Sequence, residues 1–561
     1  MQFKLSKILT LALLASGWNS PLLGQQPGGN WVEHSTLAGL TDVEKFGSVA
    51  DWLGDLDADG IGEIVVGSPL FDTGDPLRTG KVSIMSGQTG LEIWSIQANQ
   101  IPGASSNAGP VTRMGDINQD GINDFAFWAG QGFPLDIFVS VYSGATFMEL
   151  YRVRPPNPRS GFGTTGIAGG TDLSGDGIPD LVVADDSYDG TAILGGAVNA
   201  YSGLDGSPLW EITGAIAGQR LGGSLACPGD LNGDGYADVI VDSDISGSFG
   251  EVHVLSGLDG SEMYSLTGGY NRAFLGLSMS WVGDWDQDGL NDFLLGSSDP
   301  EFSPQNGFGI VYRGFDGLEL ARFESPVGDR DFGNRVGGVG DVDGDGFVDV
   351  AVSAKSNSAP QDPPAVYVYS GRTLEMLAEI QSSLPAANHG DLVLSQGADL
   401  NGDGRVDFAF SDPSATVGGV VQAGAVFVFS FDPYLETSAT ALSSSAGASV
   451  TFDLSFPLTE ANKPYLFLAS RNQPGQYGNV GGLDIPLANS HFLRRMAAGA
   501  PSEFQNATGN LDANAQATVT LTLPPGAASA YIGKTMKCAA VSLSGIYPNV
   551  STAPIYVGIL P

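Results

Sequence analysis

A nine-residue acidic pattern, D-x-D/N/S-x-D-G-x-x-D/E, occurs seven times, starting at Asp55, Asp116, Asp172, Asp230, Asp284, Asp341 and Asp399. The starts lie 61, 56, 58, 54, 57 and 58 residues apart. A near-constant period of this length means that one supersecondary unit is stacked on copies of itself, because a single unit cannot bury its own apolar face. This regularity limits the fold before any local pattern is read.

The sixth copy shows what the pattern supplies. Asp341, Asp343 and Asp345 stand at alternate positions, Gly346 follows, and Asp349 comes four residues after Asp345. A hard cation such as calcium takes several oxygens at about 2.3–2.6 Å, and alternate carboxylates in a tight loop present them. Glycine permits the sharp turn, the carbonyl of Phe347 adds an oxygen, and Asp349 closes the shell. The pattern opens like an EF-hand but ends differently: Val352 stands where the EF-hand requires a bidentate glutamate. The apolar run 348–352 that follows reads as a strand.

The same reading assigns Asp55, Asp57, Asp59, Ile61 and Glu63 to a first site and Asp116, Asn118, Asp120, Ile122 and Asp124 to a second. Asp172, Ser174, Asp176, Ile178 and Asp180 form the third, and Asp230, Asn232, Asp234, Tyr236 and Asp238 the fourth. Asp284, Asp286, Asp288, Leu290 and Asp292 form the fifth, and Asp399, Asn401, Asp403, Arg405 and Asp407 the seventh. Ile61, Ile122, Ile178, Tyr236, Leu290, Phe347 and Arg405 would serve through their carbonyls. Up to seven calcium ions are expected, in a structural role. An empty cluster repels itself, and an ion holds the turn shut. The loops with Asn118 and Ser174 carry less charge and are expected to bind more weakly.

Each period has room for four strands. In the first, a strand opens near Phe46-Gly47 and runs to Leu53, and the acidic loop leads into the buried run Ile64, Val65, Val66. A third strand, KVSIMS from Lys81, and a fourth, LEIWSI from Leu91, follow across a glycine turn. Later second strands read FAFW from Phe125, LVVA from Leu181, VIVD from Val239, FLLG from Phe293, VAVS from Val350 and FAFS from Phe408. Continuous apolar runs suit strands buried on both faces. Four short strands per period with turns rich in Gly, Asp and Ser describe a propeller blade. The expected fold is all-β: a seven-bladed β-propeller over residues 38–433, followed by a β-sandwich over 434–561.

The seventh repeat has a third strand, AVFVFSF from Ala425, and no fourth; WVEHST from Trp31 precedes the first repeat without a partner. Closing the ring removes sheet edges, so residues 25–37 are expected to pair with the seventh blade and latch it.

Composition narrows the function. Against 62 acidic residues stand 24 Lys and Arg, a net charge of −38, which excludes nucleic acid and anionic membranes as partners. Lys4 and Lys7 precede an apolar run at 8–15, so residues 1–24 read as an export signal. No other stretch is long enough to span a membrane. An extracellular, cell-surface or periplasmic site is expected. Two cysteines, Cys227 and Cys538, are too few for a disulfide scaffold and read as free small apolar residues, with an interdomain bridge as the alternative. The histidines His34, His253, His389 and His491 are scattered, without zinc spacing. No nucleophile elbow or phosphate loop is present. No catalytic constellation follows.

The Phe-Gly opening, the acidic loop and the buried strand ending at Gly67-Ser68-Pro69 resemble FG-GAP repeats, the blades of the integrin α-chain head. The resemblance covers roughly residues 31–433 and implies calcium between the first and second strands of each blade. Integrin heads carry fewer such loops, so the chain is more similar to the repeats of secreted bacterial proteins. It shows no leg domains, inserted domain or membrane segment of the integrin kind. The function implied is adhesion or recognition of an extracellular protein or glycan. A calcium-dependent polysaccharide lyase and a purely structural envelope or matrix component are the alternatives. The irregular loops 103–110, 185–194, 356–364 and 413–419 are candidate ligand contacts.

Overall fold

The computed structural model describes residues 29–40, 44–71, 80–102, 104, 109–131, 136–157, 161–244, 250–268, 274–297, 307–325, 332–354, 365–381, 393–400, 405–433, 435–438, 441–443, 448–456, 460–471, 478–480, 483–485, 504–523, 535–544, 547–551 and 555–560. The export signal, Asn401, Asp403, His389, His491, the loop 356–364 and most of 103–110 lie outside them.

Seven four-stranded antiparallel sheets form the blades. In blade one the strands are Val49–Gly54, Glu63–Ser68, Lys81–Ser86 and Glu92–Gln97, hydrogen-bonded in that order. The next five blades repeat this meander from first strands Val111–Gly115, Ile167–Thr171, Leu225–Gly229, Ser278–Gly283 and Phe332–Gly340. Each first strand touches the first strand of the next blade, and Val393–Ala398 of blade seven touches Val49–Gly54 of blade one. The first strands therefore form a closed inner ring around the axis.

Residue type explains the layering. Second and third strands are covered on both faces by neighbouring blades, so Glu63–Ser68 and Lys81–Ser86 are buried throughout. Fourth strands face outward and are largely exposed, as Pro208–Thr213 shows. The cores lie between blades. Leu53, Val65 and Ile84 of blade one pack with Phe125, Phe127 and Phe138 of blade two. Trp52, Ile64 and Val66 of blade one pack with Ala409, Val426 and Val428 of blade seven, so the seam is filled like any other junction. Each fully buried apolar side chain of this size contributes roughly 1.5–3 kcal/mol.

Gly29–Ala38 takes the place of the fourth strand of blade seven. It pairs antiparallel with Ala425–Pro433, Trp31 opposite Phe431 and Ala38 opposite Ala425. Beyond Pro433, two sheets share one core. Val450 and Phe452 of one meet Phe467, Leu468 and Val541 of the other, with the Phe452 and Phe467 ring centroids 4.7 Å apart. Cys227 and Cys538 are both free.

Candidate metal centres

The acidic loops join the first and second strands of each blade. Their backbone is wound around the first aspartate. One oxygen of Asp55, Asp116, Asp172, Asp230, Asp284 and Asp341 accepts the N–H of the loop glycine five residues on, at 2.8–2.9 Å. Gly346 sits at φ 90°, a left-handed conformation that a side chain would strain. The fifth-position acids Asp59, Asp120, Asp176, Asp234, Asp288 and Asp345 accept the N–H of Ile61, Ile122, Ile178, Tyr236, Leu290 and Phe347 at 2.8–3.1 Å. Loop shape and carboxylate direction are thus set together.

The closing acid has a second task that the linear pattern does not disclose. In all seven blades it accepts the N–H of the loop's second residue, from Leu56 on Glu63 at 2.6 Å to Leu400 on Asp407 at 2.8 Å. In blades two to six its other oxygen accepts the N–H of Gly144, Gly203, Gly257, Gly314 or Gly371 at 2.8–3.2 Å. Those glycines begin the turn between third and fourth strands. A buried carboxylate therefore brackets the two turns at one end of each blade. Its sequence signal is the glycine after the third strand: a Cβ on Gly144 would overlap the carbonyl oxygen of Asn123.

Three loops gather carboxylate oxygens within 4.8 Å of one another: Asp55, Asp57 and Glu63; Asp284, Asp286 and Asp292; Asp341, Asp343 and Asp349. Among the described residues, loops two, three and four form no such trio; their third residue is Asn118, Ser174 or Asn232. Of the seventh loop, Asp399, Arg405 and Asp407 are described, with Asp407 buried.

Burial pushes the Glu63 carboxyl up to about 7, and Asp57, Asp59 and Asp55 push the same way against the Leu56 N–H. Burial likewise lifts Asp124, Asp238 and Asp292 to about 6. In the sixth loop burial, then the neighbouring aspartates, raise Asp343 and Asp349 well above the usual range. Such groups resist ionisation until a cation is beside them. Oε1 of Glu63 is buried without a hydrogen-bond partner. A carboxylate oxygen left without a donor, beside two more carboxylates, is a donor set that fits a divalent cation. A cation there would supply positive charge to carboxylates that otherwise repel.

Among the described residues, His253 is held by Glu262 at 2.8 Å and Ser243 at 3.0 Å in the sheet of blade four, away from any acidic loop. No helix of the described residues is long and apolar enough to cross a membrane.

The FG-GAP-like repeat family matches residues 172–241, from the acidic loop of blade three to the second strand of blade four. The chain is similar to integrin alpha-5 of Xenopus laevis, 27% identical over 219 residues, which is 36% of this chain and 20% of that protein. Integrin alpha-V of Gallus gallus is 28% identical over 208 residues, 33% of this chain and 19% of the other. Integrin alpha-E of Homo sapiens is 33% identical over 161 residues, 24% and 14% of the two chains. The matches thus span a fifth or less of each relative's length. The solved Dos1 propeller is similar at 12% identity and a TM-score of 0.38, over 72% of this chain and 95% of that one. Seven blades, acidic loops at one place in each, a family match across two blades and similarity to integrin alpha chains identify the ring as an FG-GAP-repeat β-propeller.

Proposed function

We propose that the chain is an exported, calcium-stapled propeller that works as an extracellular or cell-surface adhesion or recognition module, with its C-terminal sheets forming a β-sandwich. Similarity to integrin alpha chains supports the class. One structural observation carries the reading. The turn between third and fourth strands presents an exposed large apolar side chain in six successive blades: Leu91, Met148, Leu204, Leu258, Phe315 and Leu374. Single exposed apolar residues are ordinary, whereas a repeated set on one face marks a contact surface. That face also carries the acidic loops. The irregular loops 185–194 and 413–419 join second to third strands and so lie at the opposite face. Leu40, Ile193, Ile216 and Val421 are exposed at that opposite face without a blade-by-blade repeat, so we place recognition on the face of the acidic loops, where the repeat is regular.

The test is a binding screen of calcium-loaded protein against purified surface proteins and glycans, repeated with a Leu204→Ser, Leu258→Ser, Phe315→Ser variant. Binding lost in the variant, with its melting temperature kept, supports the reading. Binding untouched by the triple variant, or turnover of a polysaccharide in place of binding, contradicts it.

A further inference from the structure

In blade six the turn between the third and fourth strands, Ala365–Tyr369 and Met376–Gln381, carries an arginine directly after its glycine. Arg372 reaches back over the sixth acidic loop. Its guanidinium donates to the Asp345 carbonyl at 3.0 Å and lies 5.2 Å from the centroid of the Phe347 ring. The Ser370 hydroxyl donates to a carboxylate oxygen of Asp345 at 3.3 Å. The turn therefore covers this loop. Asp343 and Asp345 are half-buried, whereas Asp57, Asp59, Asp286 and Asp288 of loops one and five are exposed.

The charge follows the geometry. Burial raises the Asp341, Asp343 and Asp345 carboxyls, and the Arg372 charge draws all three back. The corresponding positions of blades one to five hold Gln88, Ala145, Leu204, Leu258 and Phe315, none of them charged. Arg313 of blade five stands before the turn glycine, and Asp316 of the same turn holds its guanidinium at 2.9 Å, so that charge is already offset. Loops one, five and six gather equivalent trios of carboxylates. Equal trios under unequal local charge should differ in their affinity for a cation. A guanidinium keeps its charge throughout, and like charges repel more strongly as water is excluded between them.

We propose that Arg372 is the resident counter-ion of the sixth loop. It steadies the acids when no ion is present and opposes the entry of a divalent cation, so this loop holds its ion more weakly than loops one and five. The inference rests on the calcium reading of the loops and adds to it a residue that sets affinity. As calcium falls, the sixth loop empties early while blade six keeps its turns.

The experiment is calorimetric titration of the chelator-stripped full chain with calcium, with elemental counting of bound ions and paired melting curves. Arg372→Gln should tighten one ion about tenfold and leave the total unchanged. In chelator the same variant should melt below wild type, because the acids lose the Arg372 charge; in saturating calcium it should melt no lower than wild type. A merely structural arginine would lower both curves on removal. The tightening should vanish when Asp341→Ala is also present, which assigns it to the sixth loop. Arg372→Lys should stay within about threefold of wild-type affinity, because the charge remains. Gln88→Arg is the reciprocal variant. Gln88 is exposed and its turn has the same form, with the Thr89 and Thr373 N–H each donating to a serine hydroxyl at 3.2 Å. It should weaken one ion about tenfold, a readout that does not depend on the Arg372 variants folding. Unchanged or weaker calcium binding by a folded Arg372→Gln, equal tightening in the Asp341→Ala background, or wild-type affinities in Gln88→Arg each overturn the assignment. Failure of wild type and variants alike to bind calcium overturns the loop reading itself, so the two failures are separable.

Discussion

At the scale of single residues, the buried carboxylates tie the turns of each blade together. Asp292 accepts N–H groups from Trp285 at 2.8 Å and Gly314 at 2.9 Å, tying two turns together. Asparagine there would turn an amide donor toward one of those donors. Asp292→Asn should cost about 2–4 kcal/mol, measured by denaturant unfolding. The loss should persist in chelator, because the bracket does not require an ion. Asp242 is also raised by burial, but it lies outside the acidic loops and brackets no turn of this kind. Burial pushes it up to about 7, with Asp244 and Asp186 pushing the same way, while the Ser224 N–H opposes. An unfolded aspartate ionises near 3.9, so wild-type stability falls as pH rises from about 4 to about 7. Asp242→Asn removes that penalty and keeps an acceptor for Ser224. It should stabilise by ~1–2 kcal/mol at pH 8 and by nothing near pH 4, read from paired melting curves. The acidic pattern of the seven loops was legible in the sequence because alternate carboxylates and a glycine are local. The bracket was not, since Asp124 and Gly144 meet only once the meander folds.

At the scale of elements, blades are held to their neighbours by pegs from the outer strand. The Tyr151 hydroxyl of blade two donates to the Gly203 carbonyl of blade three at 2.8 Å, and the Trp210 indole of blade three to Gly257 of blade four at 2.6 Å. Tyr264 of blade four donates to Gly314 of blade five. Trp210→Phe should cost about 1 kcal/mol for the lost bond while keeping most of the packing. The latch strand carries a larger load. Gly29–Ala38 covers the open edge of Ala425–Pro433 and places Leu37 in the seam core. Deleting residues 29–38 should lower the melting temperature by ten degrees or more, on the order of several kcal/mol for a covered edge and a buried leucine. An unchanged melting curve would remove the latch from the fold's stability. The missing fourth strand of blade seven was legible as a gap at one end of the repeats and a spare strand at the other. Strand ends shifted by a residue or two, as with the fourth strand of blade one at Glu92–Gln97, because turn hydrogen bonds decide them. Ser86, for example, accepts the Thr89 N–H on its hydroxyl at 3.2 Å.

At the scale of the whole molecule, the acidic loops place a ring of carboxylates around one face, beside a ring of exposed apolar turn residues. A net charge of −38 acts against compaction, and divalent ions held in the loops would offset it where it is densest. Ligands that bind only the folded state raise its stability through mass action. The decisive measurement is calorimetric melting of the protein with calcium and with chelator, alongside elemental counting of bound metal. If the loops are staples, the loaded protein should hold up to seven ions, one for each acidic loop. Chelation should then lower the melting temperature sharply, with Asp341→Ala, which removes the first ligand of the sixth loop, lowering the count by one. A protein that holds few ions, or that melts at the same temperature with chelator, would contradict the stapled ring and leave the carboxylates in need of another explanation.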